Sequence, residues 1–341
     1  MFSLASLGTA VPRALAFVVG ACIGSFLNVC VARWPREESV VSPRSHCPRC
    51  GHGIAWYENI PLLSWIALRA RCGGCGEPIS IVYPLVELVV ALGWLAAVVE
   101  FGPTFTALRV AVFGTVLLGI MLTDASHYVI PDGFTVFGLL WALAAAMGGF
   151  LLGETTLFAG VKEAALGACV GAGLIAIIGW LGEVALKREA MGFGDVTLMA
   201  MVGAALGPGL TLLTILIGAA LGAATFLGVV YPVLWLRGRR RVDAYARAAR
   251  IHRASTRLRL RGRGSAAARV ARARARGTAL PAAGWRRLAK LARDARDART
   301  RRPLAEPPLV PFGVFLAPAA LVALLWGNAL VAWYLQRTSP S

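Results

Sequence analysis

The sequence predicts an all-α polytopic membrane protein with about eight transmembrane helices and one zinc-ribbon-like loop. Its composition is strongly apolar, with 57% hydrophobic residues, 15% charged residues and a mean hydropathy of +0.67, which a soluble domain rarely shows. Two Cys-x-x-Cys pairs lie in the polar loop that follows the first apolar run. Apolar runs of about 20 residues or more, enough to span the hydrocarbon core, lie at 11–33, 84–101, 105–123, 133–152, 161–181, 210–236 and 310–335, and a shorter sixth run lies at 195–206.

Three of these runs need a separate justification. The sixth and seventh are divided only by Gly207, Pro208 and Gly209, and such residues usually mark a turn. We therefore expect two helices with a tight break between them. The N-terminal run lacks a charged region followed by a short apolar core and an Ala-x-Ala-type cleavage site, so we expect a first membrane helix and not a secretory signal.

The basic residues between the helices predict the orientation. The loop over 34–83 carries five arginines, the loop before residue 195 carries Lys187 and Arg188, and the loop after the seventh helix is rich in arginine. With eight helices, all three loops lie on one side, which the positive-inside rule assigns to the cytoplasm. We expect a multi-pass protein of the cytoplasmic membrane with both termini on the outer side.

Most of the positive charge lies in one segment. Residues 237–302 contain 23 Lys and Arg against 3 Asp and Glu, while the rest of the chain contains 12 against 14. A segment this rich in Arg and Ala cannot bury a core of its own, so we expect it to be disordered or partly helical. Trp285, Leu288 and Leu291 among basic residues indicate a short amphipathic helix on anionic lipid. A solvated loop that only enforces topology is as well supported, and nucleic-acid binding is the least favoured alternative.

The polar loop contains four cysteines with the spacing of a metal site. Each Cys-x-x-Cys pair can place two thiolates on one ion, and 21 residues separate the pairs. Four thiolates complete a closed tetrahedral zinc site that folds the loop and leaves no open position for a reactive water. Reduced or disulfide-linked pairs without metal are the alternative, and His46 and His52 are expected to be bystanders. The predicted ligands are Cys47, Cys50, Cys72 and Cys75.

Two aspartates lie at the ends of apolar runs. Asp195 opens the run over 196–206 and Asp124 follows the run over 107–123. A carboxylate at the edge of a hydrocarbon layer is costly, so both are candidates for a functional site. Gly192 and Gly194 would let the backbone turn tightly and let other groups approach Asp195. The helix count places both aspartates on the predicted cytoplasmic side.

A pair of carboxyl groups that shares one proton is what an aspartic peptidase requires. One group activates water for attack on a peptide carbonyl, the other protonates the carbonyl oxygen, and no metal is needed. Helix-end chemistry is the alternative: the helix dipole favours Asp195 at a helix N-terminus but disfavours Asp124 at a C-terminus. Asp132 and Glu183 are competing acids, and we expect Asp132 to cap its helix through its side chain.

A set of ordered motifs resembles the type IV prepilin peptidases, bifunctional leader peptidases and N-methyltransferases of the GxGD aspartic class. The resemblance runs from about Gly20 to Trp333 and is interrupted by the basic insertion. Its carriers are Gly24-Ser-Phe-Leu-Asn-Val29, Pro35-Arg-Glu-Glu-Ser-Val-Val41, Ser45 to His52, Trp56 to Trp65, Arg71 to Ser80, Tyr83 to Leu88, Asp124 with Ile130-Pro-Asp132, Met191-Gly-Phe-Gly-Asp195 and Pro311-Phe-Gly-Val-Phe-Leu316.

The resemblance implies a function and a set of site residues. Asp124 and Asp195 match the catalytic pair, which cleaves the basic leader of prepilins and pseudopilins after a glycine on the cytoplasmic side of the bacterial inner membrane. The four loop cysteines match the zinc tetrad, and the loop is associated with S-adenosylmethionine-dependent methylation of the new N-terminus. The residues that bind the methyl donor are not identified. Many relatives have a lysine where this chain has Thr197.

The expected organisation follows these motifs. Residues 1–33 form the first transmembrane helix, 34–83 the cysteine loop and 84–236 the peptidase core. Residues 237–303 form the basic insertion, and 304–341 the last helix and tail. Two other functions remain open: a transporter that uses the aspartates as an ion relay, which should place charges near the bilayer midplane, and a scaffold with a zinc-binding interaction loop.

Overall fold

A computed structural model describes residues 4–154, 157–187, 191–233 and 311–338, and these ranges are mainly helical with no β-strand. A short helix, α2 (Leu63–Ala67), and two 3-10 turns (Trp34–Arg36 and Trp56–Asn59) lie between the first two long helices. The basic insertion at 237–303, with the amphipathic helix expected around Trp285, lies outside the described residues. The long helices are α1 Leu4–Arg33, α3 Val82–Phe101, α4 Phe105–His127, α5 Asp132–Leu151, α6 Val161–Leu186, α7 Phe193–Thr225 and α8 Gly313–Thr338.

The predicted all-α polytopic fold class is confirmed. Within the described ranges, seven helical stretches are long and apolar enough to cross a membrane. One of them, Phe193–Val233, has 41 residues, about twice the length of one span. Gly207 interrupts it with φ 77° and ψ 172°, and Pro208 follows. The two helices predicted on either side of this break are therefore the two halves of that stretch.

Two local expectations near the aspartates are corrected. Helix α4 continues to His127, one turn beyond its predicted end, because Tyr128 closes it in the left-handed conformation and donates its N–H to Asp124 O at 2.9 Å. Asp124 thus lies inside the helix and does not follow it. Asp132 was expected to cap α5 through its side chain, but Pro131 occupies the N-cap position and no side-chain cap forms.

Helix α4 and the first half of α7 form the centre of the bundle. Helix α4 packs against α1, α3, α5 and α8. In α7 the residues from Leu198 to Leu206 are buried around the whole circumference, which is typical of a helix enclosed by other helices. The chain therefore carries Asp195 on the helix that enters the core most deeply.

Small residues bring α6 and α7 into backbone contact. A Cβ atom added at Gly203 would lie 2.0 Å from Gly167 O, and one added at Gly167 would lie 2.1 Å from Gly203 O. Membrane helices pack closely where small residues face each other, because apolar burial against lipid contributes little. This contact fixes the part of α7 that lies two turns beyond Asp195.

Gly203→Ala is expected to destabilise the bundle by roughly 1–3 kcal/mol or more, since the added methyl group forces the two backbones apart. The matched control is Gly173→Ala on α6, where a Cβ meets nothing within 4 Å. Thermal unfolding in detergent compares the two variants with the parent chain. Equal unfolding temperatures for the two variants would contradict the packing described here.

The chain divides into two compact units. The first comprises Met1–Gly222 with Pro311–Ser341, and the second comprises Ala223–Val310. The described part of the second unit, residues 223–233, is the end of α7 with a π-helical turn at Phe226–Val230. Every site considered below belongs to the first unit.

Candidate active site and metal site

Asp124 is buried, with 4% of its surface exposed, and its carboxylate is held by the beginning of α8. Its Oδ2 accepts a hydrogen bond from the N–H of Val314 at 3.1 Å. The partial positive charge of a helix N-terminus stabilises a carboxylate there. The last helix thus offsets the unfavourable position of Asp124 near the C-terminus of α4, across 190 residues of sequence.

Gly313 lets α8 approach the carboxylate closely. A Cβ at this position would lie 2.8 Å from Asp124 Oδ2 and 3.0 Å from Ile130 Cδ1. Any side chain there would displace one of these groups. The site therefore requires a residue without a side chain at the first position of α8.

Asp195 is the third residue of α7 and carries an unusual oxygen atom. Its backbone N–H donates to Gly192 O at 3.1 Å, so the first turn of the helix is ordered around it. Its Oδ1 is buried and has no hydrogen-bond partner among the described residues. Buried polar atoms almost always have a partner, so this oxygen marks a place for a water or a substrate group.

The structure brings the two aspartates to one site. Ile130 borders both aspartate segments. A Cβ added at Gly194, next to Asp195, would lie 2.8 Å from Ile130 Cβ, and one added at Gly313, next to the Asp124 carboxylate, would lie 3.0 Å from Ile130 Cδ1. The close approach expected at Gly194, next to Asp195, is thus present in the fold.

No cation accompanies the pair in the part of the chain that the structure describes. The ion pairs found there involve neither Asp124 nor Asp195. Thr197 donates its hydroxyl to Gly194 O at 3.0 Å, a hydrogen bond within its own helix. The other candidate groups, Asp132, Glu183 and His127, have exposed side chains.

The hydrogen-bonding role of α8 was not foreseen from the sequence. The motif Pro311-Phe-Gly-Val is part of the resemblance, but nothing in it identifies the backbone N–H of Val314 as a partner of Asp124. A glycine that opens an apolar run directly after Pro and Phe was the only available signal.

Gly313→Ala is expected to lower the activity of the site by about one to two orders of magnitude, because misplacing a reacting group by about 1 Å costs roughly 10²-fold. Gly114→Ala on α4 is the matched control, since a Cβ there meets only Leu321 Cδ2 at 3.9 Å. Cleavage rates at equal membrane levels provide the comparison. A Gly313→Ala variant as active as this control would show that the contact does not position Asp124.

The four loop cysteines form a compact cluster, as the spacing predicted. Their sulfur atoms all lie within 4.8 Å of one another, and Cys47 Sγ is 3.9 Å from Cys75 Sγ. In a tetrahedral site with Zn–S bonds of about 2.3 Å, neighbouring sulfurs lie about 3.8 Å apart. All four are free thiols and not disulfides. The donor set and its spacing therefore fit one metal ion.

Two similar turns build this cluster. In the first, Cys47 N–H donates to His52 O and Gly51 N–H donates to Cys47 O, each at 2.9 Å; in the second, Cys72 and Gly76 make the equivalent bonds. Gly51 and Gly76 have φ values of +72° and +70°, a conformation that glycine adopts without strain. The glycine after each pair is therefore required by the turn.

The pKa values of two cysteines in the cluster are shifted in opposite directions. The pKa of Cys47 is lowered to about 6, chiefly because the backbone N–H groups of Cys50 and Arg49 stabilise its thiolate. The backbone at Glu77 lowers the pKa of Cys75, but hydrogen bonds with the other three sulfurs and burial outweigh this and raise it to about 11. A thiolate is the form that binds metal, so the lowered pKa of Cys47 favours metal binding at this position.

The neighbouring histidines do not join the cluster. His52 Nε2 lies 3.2 Å from Glu58 Oε2, and His46 Nδ1 lies 3.1 Å from Arg44 O. The pKa of Glu58 is lowered, first by the backbone N–H of Ala55 and then by His52. Of the three remaining cysteines, Cys30 is buried, whereas Cys22 and Cys169 are exposed on helix faces.

The helices, the two carboxylates and the loop define a multi-pass membrane protein with a two-aspartate site and a tetracysteine cluster whose spacing fits a metal ion. Residues 18–101 match the model of the bacterial peptidase A24 N-terminal domain, and residues 111–227 match that of the type IV leader peptidase family. The first match contains all four loop cysteines and the second contains both aspartates. Gly313 and Val314 lie outside both.

The names of similar proteins agree with these two family matches. The prepilin leader peptidase/N-methyltransferase of Myxococcus xanthus is 47% identical over 188 residues, which cover 55% of this chain and 54% of that protein. The protein of the same name in Stutzerimonas stutzeri is 36% identical over 55% of this chain and 71% of its own length. An Escherichia coli type 4 prepilin-like proteins leader peptide-processing enzyme is 38% identical, over 56% and 75% respectively. No solved structure matches the chain.

The chain belongs to the type IV leader peptidase family. It spans about half the length of the Myxococcus relative and nearly three quarters of the other two.

Proposed function

We propose that the chain is a membrane aspartic endopeptidase that removes the basic leader of type IV prepilins and pseudopilins, with Asp124 and Asp195 as its catalytic pair. The observation that carries this proposal is Asp195 Oδ1, a buried oxygen without a partner beside the fixed carboxylate of Asp124. The names of the relatives supply the substrate class.

The mechanism follows from two carboxyl groups that share one proton. The ionised group accepts a proton from water as the water oxygen attacks the scissile carbonyl carbon, and the protonated group donates to the carbonyl oxygen. The hydrogen bond from Val314 fixes one carboxylate, which leaves the pair able to bind water through Asp195 Oδ1. When the tetrahedral intermediate collapses, the C–N bond breaks and the leaving amine takes up a proton from the pair.

The positions of the aspartates in their helices support hydrolysis over ion relay. Asp124 lies in the last turn of α4 and Asp195 in the first turn of α7. An ion relay would place such groups near the bilayer midplane. A site at the helix ends can bind the part of a substrate where its polar leader joins its apolar segment.

We place this site on the cytoplasmic side of the inner membrane. The support is the positive-inside rule, applied to the arginines of the cysteine loop and to the arginine-rich segment after α7. A basic leader stays on that side for the same reason. Substrate and site would therefore meet without translocation of the leader.

We also propose that the chain methylates the new N-terminus and that a structural zinc ion folds the loop for this purpose. Cys47, Cys50, Cys72 and Cys75 would hold the ion, whose closed thiolate shell suits folding and not hydrolysis. S-adenosylmethionine supplies an electrophilic methyl group: the N-terminal nitrogen forms an N–C bond as the C–S bond breaks, and the nitrogen then loses a proton.

The corresponding organisation is a helix over 1–33, the cysteine loop over 34–83, a peptidase core over 84–236, a basic insertion over 237–303 and a last helix and tail over 304–341. Val314 extends the peptidase core to this last helix, because it contacts Asp124. Anionic lipid remains the proposed partner of the insertion.

The test is cleavage by the purified chain in proteoliposomes of a substrate with a basic leader, a glycine and an apolar segment. Mass spectrometry should show one cut after the glycine and, when S-adenosylmethionine is present, one added methyl group on the product. A substrate whose glycine is replaced by a bulky residue is the control. A chain that leaves the first substrate intact, or cuts both equally, would contradict the proposal.

A further inference from the structure

A cavity of about 440 Å³ lies between α1 and the first part of the cysteine loop. One wall of this α1 cavity is a stripe along α1, and the rest of the lining comes from residues 40–61 of the loop. The lining includes neither aspartate of the pair and none of the four cluster cysteines, so this is a separate site. The stripe consists of Cys22, Ser25, Phe26, Val29 and Arg33.

The stripe follows α1 through about the thickness of one leaflet. At about 1.5 Å per residue, the helix rises about 16 Å from Cys22 to Arg33, which is about half of the roughly 30 Å hydrocarbon core. Gly24 packs on α3, where an added Cβ would lie 2.7 Å from Glu87 Cα, whereas Cys22 and Phe26 are exposed. The α1 cavity therefore opens on a helix face that an acyl chain can reach.

The charged residues of the α1 cavity are all basic. Arg33 ends α1 and Arg44 belongs to the loop, and the lining contains no acidic residue. Arg33 Nη1 donates to Ser39 O at 2.9 Å, which orients this guanidinium and leaves four of its five N–H donors. Within the described ranges, the ion pairs involve neither arginine. The two guanidinium groups attract an anion and repel a cation, and phosphate is among the groups that arginine binds best.

Much of the remaining lining is apolar, and this limits the choice of anion. A free inorganic anion would leave these side chains uncovered, whereas a ligand with a phosphate at one end and hydrocarbon at the other would contact both parts of the lining. A zwitterionic headgroup fits less well, because no acidic residue of the lining can pair with its ammonium group. The apolar residues include Val29, Val40, Val41 and Ile54.

We propose that the α1 cavity binds an anionic phospholipid, with its phosphate between Arg33 and Arg44 and one acyl chain along the stripe from Val29 to Cys22. The bilayer supplies this ligand directly to the exposed face of α1, and anionic lipids concentrate near basic residues at a membrane surface. The basic leader of the proposed substrate has the wrong charge for the two arginines. The inference is independent of the proposed function, because lipid binding requires neither cleavage nor methyl transfer.

A lipid in this position would connect the cysteine loop to the bundle. Arg33 belongs to α1 and Arg44 to the loop, so a phosphate that both residues bind joins the two parts. A hydrogen bond from Leu62 N–H to Glu87 Oε2 on α3, at 2.8 Å, already ties a later part of the loop to the bundle. The anionic lipid would therefore hold the first part of the loop against the membrane surface.

The test is photo-crosslinking of the full zinc-loaded chain in phosphatidylcholine nanodiscs. The probes are phosphatidylglycerol and phosphatidylcholine with the same photoreactive acyl chain, each at a fraction too low to saturate the protein. Chymotryptic digestion, which does not depend on arginine, and mass spectrometry locate the attached lipid. The phosphatidylglycerol probe should label residues 22–33 several-fold more than the phosphatidylcholine probe does. The exposed residue Leu140 on α5 is the internal control, and both probes should label it about equally.

Arg44→Gln should lower phosphatidylglycerol labelling of residues 22–33 by about fivefold, the contribution of one basic residue near an anionic lipid. Arg33→Gln should have a similar effect. Arg36→Gln is the matched control, since Arg36 is an exposed arginine of the same loop that does not line the α1 cavity, and it should be labelled like the parent chain. Zinc content shows that each variant has kept its loop fold.

The outcomes distinguish the lipid from other occupants. Equal labelling by the two probes, or equal labelling of the Arg44 and Arg36 variants, would overturn the proposal. Loss of labelling in inorganic phosphate, but not in chloride of matched ionic strength, would make this a free-anion site. Loss of labelling with a peptide that contains a basic leader and an apolar segment would make it a substrate site. Labelling that requires Arg44 and survives both competitors supports the lipid.

Discussion

Asp124→Asn and Asp195→Asn are each expected to reduce leader cleavage by at least roughly 10²–10⁴-fold, the typical contribution of one acid or base group. An amide can neither accept the proton of the attacking water nor donate one as a carboxylic acid does. Because the two groups act as one unit, the double variant should be about as inactive as either single variant. Initial cleavage rates of a leader peptide substrate in proteoliposomes measure this effect.

Asp132→Asn is the matched control for both variants. Asp132 follows Ile130 and Pro131 in the same loop and has an exposed side chain at the first position of α5, so this change should leave the rate within a factor of a few. Asparagine nearly conserves the volume of aspartate, and each variant should insert and unfold like the parent chain. Near-normal cleavage by either Asp124→Asn or Asp195→Asn would falsify the assignment of the pair and restore helix-end chemistry as the reason for that residue.

Removal of the metal, or Cys72→Ser, is expected to unfold the cysteine loop and abolish methyl transfer. Structural zinc sites contribute about 10–16 kcal/mol of binding free energy that is also folding free energy, and no apolar core exists in this loop to replace it. The parent chain should bind one zinc ion and the variant almost none. Cleavage by trypsin within 34–81, where five arginines lie, should become much faster after chelation.

This experiment distinguishes the role of the cysteine loop from that of the aspartate pair. The described contacts of Asp124 and Asp195 come from α4, α7, α8 and Ile130, so leader cleavage should survive the loss of zinc to a large extent. Cys169→Ser on α6 is the control, since this exposed cysteine lies outside the cluster. If the zinc-free chain resists trypsin in this loop and still transfers methyl groups, the structural role of the ion is overturned.

Patterns that act over a few residues were readable from the sequence. Each Cys-x-x-Cys-Gly turn is closed by its own backbone hydrogen bonds, so spacing predicted a cluster whose sulfurs indeed lie within 4.8 Å of one another. Hydropathy predicted the membrane-capable helices, and Gly207 with Pro208 predicted the break in the longest stretch. The end of α4 was predicted one turn too early, because the left-handed residue that closes the helix is Tyr128 and not a glycine.

The class of fold, the tetracysteine loop and the two candidate aspartates could be predicted from the residues alone, because hydrophobicity, turn chemistry and the cost of a carboxylate near lipid are local properties. How these parts meet became visible in the packing of the helices. Asp124 and Val314 lie 190 residues apart, and Gly194 and Gly313 both border Ile130. Such contacts depend on how helices pack, which is set by the whole bundle and leaves no periodic signal in any one segment.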